Sequence, residues 1–186
     1  MVFMSTVAME QRKRIHPHKF NLWLAIASML MMFAGLTSAY IVKRSQAGWV
    51  SFDLPKAFWY STAVMLLSSV TLYLSARAFK QREMQRYRLL VAATLVLGVL
   101  FIALQVMGFS QLWHLGVTLQ GSVSYSFLYV IVGLHGLHVT GGVIALALLF
   151  AKAYSRKIRN YNSLPVELAG TYWHFVDILW LYLLVF

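Results

Sequence analysis

The chain has 186 residues, of which 60% are hydrophobic and only 11% charged, whereas a soluble domain averages about 25% charged. Its 16 Lys and Arg against 5 Asp and Glu give a formal net charge of +11, but the basic residues stand in short clusters between long apolar runs. That pattern argues against a nucleic-acid-binding face and for loops flanking membrane spans, and the lack of any cysteine excludes disulfides, thiolate-held iron–sulfur clusters and Cys-ligated zinc or copper.

A membrane span needs about 20 mostly apolar residues. In chain order the candidates cover residues 20–42, 57–76, 89–110, 123–151 and 166–186. The basic stretch Gln11-Arg-Lys-Arg14 precedes an apolar run too long for a signal-peptide core and without an evident small-residue cleavage site, so it reads as a short basic tail on a retained first helix. Pro17, Pro55 and Pro165 all fall near span starts, where a missing N–H costs little. The fourth run is long enough to tilt or to project from the bilayer. Residues 1–186 therefore read as a single all-α membrane domain, a polytopic bundle of five transmembrane helices. No internal repeat is evident, which weakens a secondary-transporter reading.

All but three of the 16 basic residues, Lys43, Arg44 and Lys56, fall in the N-terminal tail and in the segments after the second and fourth spans. Positive charge is retained on the cytoplasmic side, which predicts a cytoplasmic N-terminus and a periplasmic C-terminus. Trp49, Trp59 and Trp113 lie near span ends, as in an aromatic belt.

Polar residues inside the spans carry the functional signal, because a charge at the bilayer centre costs at least ~2.5–3.5 kcal/mol. Only Glu167 and Asp177 are acids within a span. Glu167 sits in the first turn of the fifth helix, where the helix dipole favours an interfacial acid. Asp177 is deeper, and His174, three residues earlier, shares its face. The two can form a structural pair that shares a proton, the favoured reading, or one step of a proton path.

The fourth span contains Gly133-Leu-His-Gly-Leu-His-Val-Thr-Gly-Gly142. His135 and His138 are again three apart, and Gly136, Gly141 and Gly142 with Gly133 allow close helix approach. Thr140 can bond back to its own helix. Three histidines on two helices raise haem or copper ligation as an alternative, but the glycines point to tight packing, and hydrogen-bonded packing histidines are the preferred reading. Gln105 in the third span needs a partner. Ser28, Thr37, Ser68, Ser69 and Thr71 can satisfy their own backbones. Met29, Met31 and Met32 read as packing filler.

Tyr172-Trp-His-Phe-Val-Asp-Ile-Leu-Trp-Leu-Tyr-Leu183 resembles the closing helix of subunit III of cytochrome c oxidase and related haem–copper oxidases, and His135-Gly-Leu-His-Val139 resembles that family's penultimate helix. Weaker likeness extends to Phe20-Asn-Leu-Trp-Leu-Ala-Ile-Ala-Ser28, Leu66-Leu-Ser-Ser-Val-Thr71 and Ala103-Leu-Gln105. Longer family members have seven helices, and this chain resembles the last five, as do short bacterial members. Removing an even number of helices keeps the sidedness that the charge count independently assigns.

The resemblance implies an accessory subunit of a proton-pumping terminal oxidase in the bacterial cytoplasmic membrane, without a cofactor or metal of its own. Haem and copper would reside in the catalytic subunit I. Subunit II and a small subunit IV would be further partners, and a supercomplex with a quinol-oxidising complex is compatible with it. The implied roles are stabilising subunit I, binding phospholipid and supporting proton uptake. His135, His138, His174 and Asp177 would form a polar core, with Tyr172, Trp173 and Trp180 as packing or lipid contacts. Many members carry an acid near the position of Met29, and another after the Gln of the third helix, where this chain has Met107-Gly-Phe109. Two other readings remain alongside: an electron carrier binding haem or metal through the intramembrane histidines, and a proton or ion transporter.

Overall fold

The computed structural model describes residues 17–45, 56–118, 121–154 and 163–185. They form five α-helices: α1 (Pro17–Arg44), α2 (Lys56–Lys80), α3 (Met84–His114), α4 (Val123–Tyr154) and α5 (Leu164–Val185). All five are long and apolar enough to cross a membrane. α1 to α3 begin before and end after their apolar runs, and α4 starts with its run at Val123 and ends after it, because backbone that has begun a helix continues it through the polar interface, where water can solvate the end groups. Trp49 and the basic residues of the N-terminal tail up to Arg14 lie outside the described residues, as do Pro55, Arg156, Lys157 and Arg159.

α2 and α3 form an antiparallel hairpin with the broadest contact in the molecule. Its turn is a Schellman closure: the Glu83 N–H donates to Ala78 O at 3.0 Å and the Arg82 N–H to Phe79 O at 3.1 Å. Arg82 takes the left-handed position, with φ 61°. α3 ends the same way, with Gly116 at φ 80° and the Val117 N–H donating to Leu112 O at 3.0 Å. The Tyr129 hydroxyl of α4 then bonds Val117 O at 2.8 Å, pinning this turn.

α2, α3, α4 and α5 close into a ring, each packing on the next and α5 returning to α2. α1 lies outside it and, among the described helices, touches only α4 and α5. The ring encloses one apolar core that includes Phe58, Met65, Leu72, Val91, Phe101 and Val139. A smaller cluster of Phe33, Ile131 and Leu179 joins α1 to α4 and α5. α1 buries only the stripe Ile26, Met29, Phe33 and Thr37, one residue per turn. Met31 is 70% exposed while Met29 is buried, so the methionines of this helix do not act as one group. Trp59 and Trp113 sit exposed near the start of α2 and the end of α3.

Candidate functional site: the polar core around α5

α5 is held by side-chain hydrogen bonds to a ladder of hydroxyls on α2. The Trp173 Nε1–H donates to Ser68 Oγ at 3.0 Å, and the Trp180 Nε1–H to Thr62 Oγ1 at 3.0 Å. His174 Nδ1 and Ser69 Oγ are 2.6 Å apart. α3 uses the same ladder: Gln105 Nε2 donates to Ser61 Oγ at 3.1 Å, and Thr94 pairs with Thr71 at 2.9 Å. Ser61, Thr62 and Ser68 each also donate to a carbonyl of their own helix, at 2.7–2.8 Å. Each hydroxyl thus serves twice. It donates inward to α2 and accepts from a neighbouring helix, as its inventory of one donor and two lone pairs permits.

This corrects one expectation and extends another. Ser68 and Thr71 do satisfy their own backbone, but Ser68 is also the acceptor that fixes Trp173. Ser61 and Thr62, which the sequence reading passed over, hold Gln105 and Trp180. The available signal was chemical: an indole N–H in a bilayer requires an acceptor, and hydroxyls at the spacing of Ser61, Thr62 and Ser68 supply them.

The expected His174–Asp177 pair is not formed. His174 bonds Ser69 instead. Ser69 also neighbours Asp177, yet both carboxyl oxygens of Asp177, a residue only 3% exposed, have no hydrogen-bond partner among the described residues. The two side chains share a face, but that face meets α2, whose Ser69 draws the imidazole.

His135 and His138 also part company. His135, 1% exposed, stacks on Trp180 with ring centroids 5.0 Å apart and meets the edge of Phe101 at 6.3 Å. Neither of its ring nitrogens has a hydrogen-bond partner among the described residues. His138 turns toward α1, meeting Phe33 edge-on at 5.9 Å, with its Nδ1 2.7 Å from Leu134 O. The Tyr172 hydroxyl donates to the His138 carbonyl at 2.9 Å. No group of three or more His, Asp or Glu that could hold a metal occurs among the described residues.

Trp173, fully buried, is the centre of the bundle. A Cβ at Gly142 of α4 would lie 2.9 Å from its Cε3 and Cζ3, and one at Gly98 of α3 would lie 2.9 Å from its Cη2. The indole is thus clamped between two glycines and tied to α2. Gly98 was not singled out in the sequence. A Cβ at Gly136, expected at a packed interface, would meet nothing within 4 Å among the described residues, and neither would one at Gly133; a Cβ at Gly141 would reach only the Tyr172 hydroxyl, at 3.7 Å. Of the four glycines around the α4 histidines, Gly142 alone performs the close-approach role.

Two further ties hold α1. Lys19 and Glu167 form an ion pair at 2.9 Å, joining the first turns of α1 and α5. The Tyr182 hydroxyl donates to Thr37 Oγ1 at 3.0 Å, nearer the other end of both helices. The ion pair requires α1 and α5 to start on the same side of the bundle, as alternating spans do.

His135, His138, Tyr172, Trp173, His174 and Trp180 fall in the two segments that carry the resemblance noted above, and comparison with known proteins agrees. Residues 15–186 match the family model described as cytochrome c oxidase subunit III. The chain belongs to that family. It is 34% identical over 166 residues to a probable cytochrome c oxidase subunit 3 of Nocardia farcinica, covering 86% of this chain and 80% of that protein. A cytochrome c oxidase subunit 3 of Bacillus sp. PS3 is 28% identical, with 87% and 80% covered. A cytochrome bo(3) ubiquinol oxidase subunit 3 of Pseudomonas aeruginosa is 28% identical, with 87% and 79% covered. The chain is therefore a multi-pass membrane subunit III of a haem–copper oxidase, which implies oxidase subunits as its partners.

Proposed function

We propose that this subunit III acts as a scaffold in a proton-pumping terminal oxidase of a bacterial cytoplasmic membrane. It stabilises the catalytic subunit I, which holds the haems and copper, and carries no redox centre itself. Subunit II and a small subunit IV complete the assembly, which can join a quinol-oxidising complex. The N-terminus faces the cytoplasm and the C-terminus the periplasm, as the basic segments indicate. The whole chain serves as one membrane domain.

The observation that carries this reading is the use made of the α5 motif. Trp173, His174 and Trp180 are each engaged in binding α2 or stacking on α4. His135, His138 and His174 each meet a different neighbour, Trp180, Phe33 and Ser69, which supports packing roles over haem ligation. Such a motif builds a rigid surface rather than an electron path. Phospholipid is the natural occupant of the faces that α1 leaves bare, since α1 touches neither α2 nor α3. For proton uptake the chain offers Asp177 with Ser69 and His174, and a buried Met29 in place of an acid on α1.

The test is an oxidase prepared with and without this chain. The complete complex sustains its turnover rate, and the depleted complex loses activity progressively as it turns over. Equal rates of inactivation would remove the protective role, and failure of the chain to co-purify with a haem–copper subunit would remove the assignment itself.

A further inference from the structure

Ser69 departs from the other hydroxyls of the α2 ladder. Ser61, Thr62, Ser68 and Thr71 each donate to a carbonyl of their own helix, the usual way for a hydroxyl in a span to place its proton. Ser69 makes no such bond among the described residues, and its partner is His174 Nδ1 of α5 at 2.6 Å. The Ser69 proton is therefore held between side chains and not by its own helix.

The same hydroxyl neighbours the Asp177 carboxyl. His174 and Asp177 are three apart on α5 and meet α2 from one face, so Ser69 is adjacent to both. Their access differs. Asp177 is 3% exposed, and both carboxyl oxygens are sealed from solvent and make no hydrogen bond to a described residue. His174 is half-buried, so its ring reaches the surface of the bundle. A sealed carboxyl gains or loses a proton only through neighbouring polar groups. Ser69 has one proton to donate and two lone pairs that accept, and the imidazole has a nitrogen on each side of its ring. The Asp177 carboxyl turns about a soft terminal torsion, and that turn closes the path to Ser69.

We propose that Ser69 is a proton-relay residue, the hydroxyl through which buried Asp177 exchanges protons with the surface of the bundle by way of His174. Uptake starts with Asp177 as carboxylate and His174 carrying its proton on Nδ1. Water at the edge of the bundle gives a proton to His174 Nε2, the Nδ1 proton passes to Ser69 Oγ, and the Ser69 hydroxyl proton passes to Asp177. The carboxylate becomes a carboxylic acid, the imidazole stays neutral with its proton moved to Nε2, and hydroxide is left in the water. Release runs the same steps backward. The inference rests on the proton-uptake reading of Asp177 and adds the residue that connects it and the side from which it is reached.

Infrared spectra of the whole oxidase in membranes test this. Subtracting Asp177→Asn in the same background isolates the carbonyl stretch of protonated Asp177. After transfer to D2O, the shift of this band times proton exchange at Asp177, and the backbone amide band times opening of the bundle. Ser69→Ala should slow exchange at Asp177 by about 100-fold, the lower end of what a positioned proton-transfer group contributes, with amide exchange unchanged. Ser69→Thr keeps the hydroxyl and should stay near wild type. A purely structural Ser69 gives the opposite sign, because its loss loosens the α2–α5 contact and admits water faster. Unchanged or faster exchange at Asp177 in Ser69→Ala would overturn the proposal, as would a wild-type spectrum with no carboxyl band that Asp177→Asn removes.

Proton uptake during turnover separates this inference from the reading beneath it. If Ser69→Ala slows exchange while uptake is untouched, the relay stands and the uptake reading fails. If Asp177→Asn slows uptake while Ser69→Ala leaves exchange unaltered, the failure belongs to this inference alone.

Discussion

The indole of Trp173 occupies the space into which a side chain on Gly142 would grow, with ring carbons 2.9 Å from the position of the missing Cβ. Gly98 bounds the same ring from α3 at the same distance. These ring carbons belong to a fully buried side chain whose Nε1–H is held by Ser68, so the ring has little room to move aside.

Gly142→Ala should therefore destabilise the bundle by about 1–3 kcal/mol, the usual cost of overpacking. Gly136→Ala, in open space, should be neutral or slightly stabilising through better helix propensity. Thermal unfolding of the two variants in the same detergent checks the contrast. Equal midpoints would show that Trp173 yields to the added methyl.

Ser68→Ala removes the acceptor for the Trp173 indole and leaves a donor unsatisfied in the core. Interhelical hydrogen bonds in membranes average about 0.6 kcal/mol and reach about 1.7. The upper part of that range is expected here, because both atoms are buried and the indole meets no other acceptor among the described residues. A double-mutant cycle with Trp173→Phe should recover most of this as coupling. Additive effects would contradict the hydrogen bond.

The Lys19–Glu167 pair is 44% and 36% exposed, so solvent and salt screen it, and its loss should cost only about 0.2–0.5 kcal/mol of stability. Its measurable role is in holding α1. Glu167→Gln should increase protease cleavage near the start of α1, more at low salt than at high. The exchange Lys19→Glu with Glu167→Lys should restore protection. Unchanged cleavage in the single variant would assign α1 attachment to Phe33 and Thr37 alone.

Asp177→Asn keeps shape and removes the ionisable group. Because the carboxyl makes no hydrogen bond to a described residue, the variant should assemble at wild-type levels. Proton uptake by the assembled oxidase should slow if Asp177 relays protons as proposed. Unchanged uptake would confine Asp177 to packing.

The purified chain should show no Soret band, in wild type and in His174→Ala alike. A band present in wild type and lost in the variant would support the electron-carrier alternative and displace the scaffold reading.

Five helices were readable from apolar run length, because a span is defined by composition over about 20 residues. The helix that matters most was readable too, since an acid and a histidine in an apolar run are rare. What each residue touches was not readable. Residues three apart lie about 60° from each other around a helix axis, close enough to share a face but also enough to straddle two neighbours. His135 and His138 straddle, turning to Trp180 and Phe33. Gly133 and Gly142, nine apart, point in nearly opposite directions, so one run of glycines faces open space on one side and the Trp173 clamp on the other. The hydroxyl ladder was hidden for another reason. Ser and Thr in a span look self-satisfied, and only the placement of α5 shows that their second lone pair is used.

That double use bears on how the protein is made. A helix whose hydroxyls already donate to its own carbonyls carries little exposed polarity, so α2 is able to leave the translocation machinery and rest in lipid before its partners exist. The lone pairs of Ser61, Thr62 and Ser68 still face outward, each specific for a donor that arrives later. Gln105 comes with α3, and Trp173 and Trp180 come with α5. The ladder thus works during biogenesis as a set of reserved acceptors, admitting each later helix only in the register that brings its donor opposite the right rung.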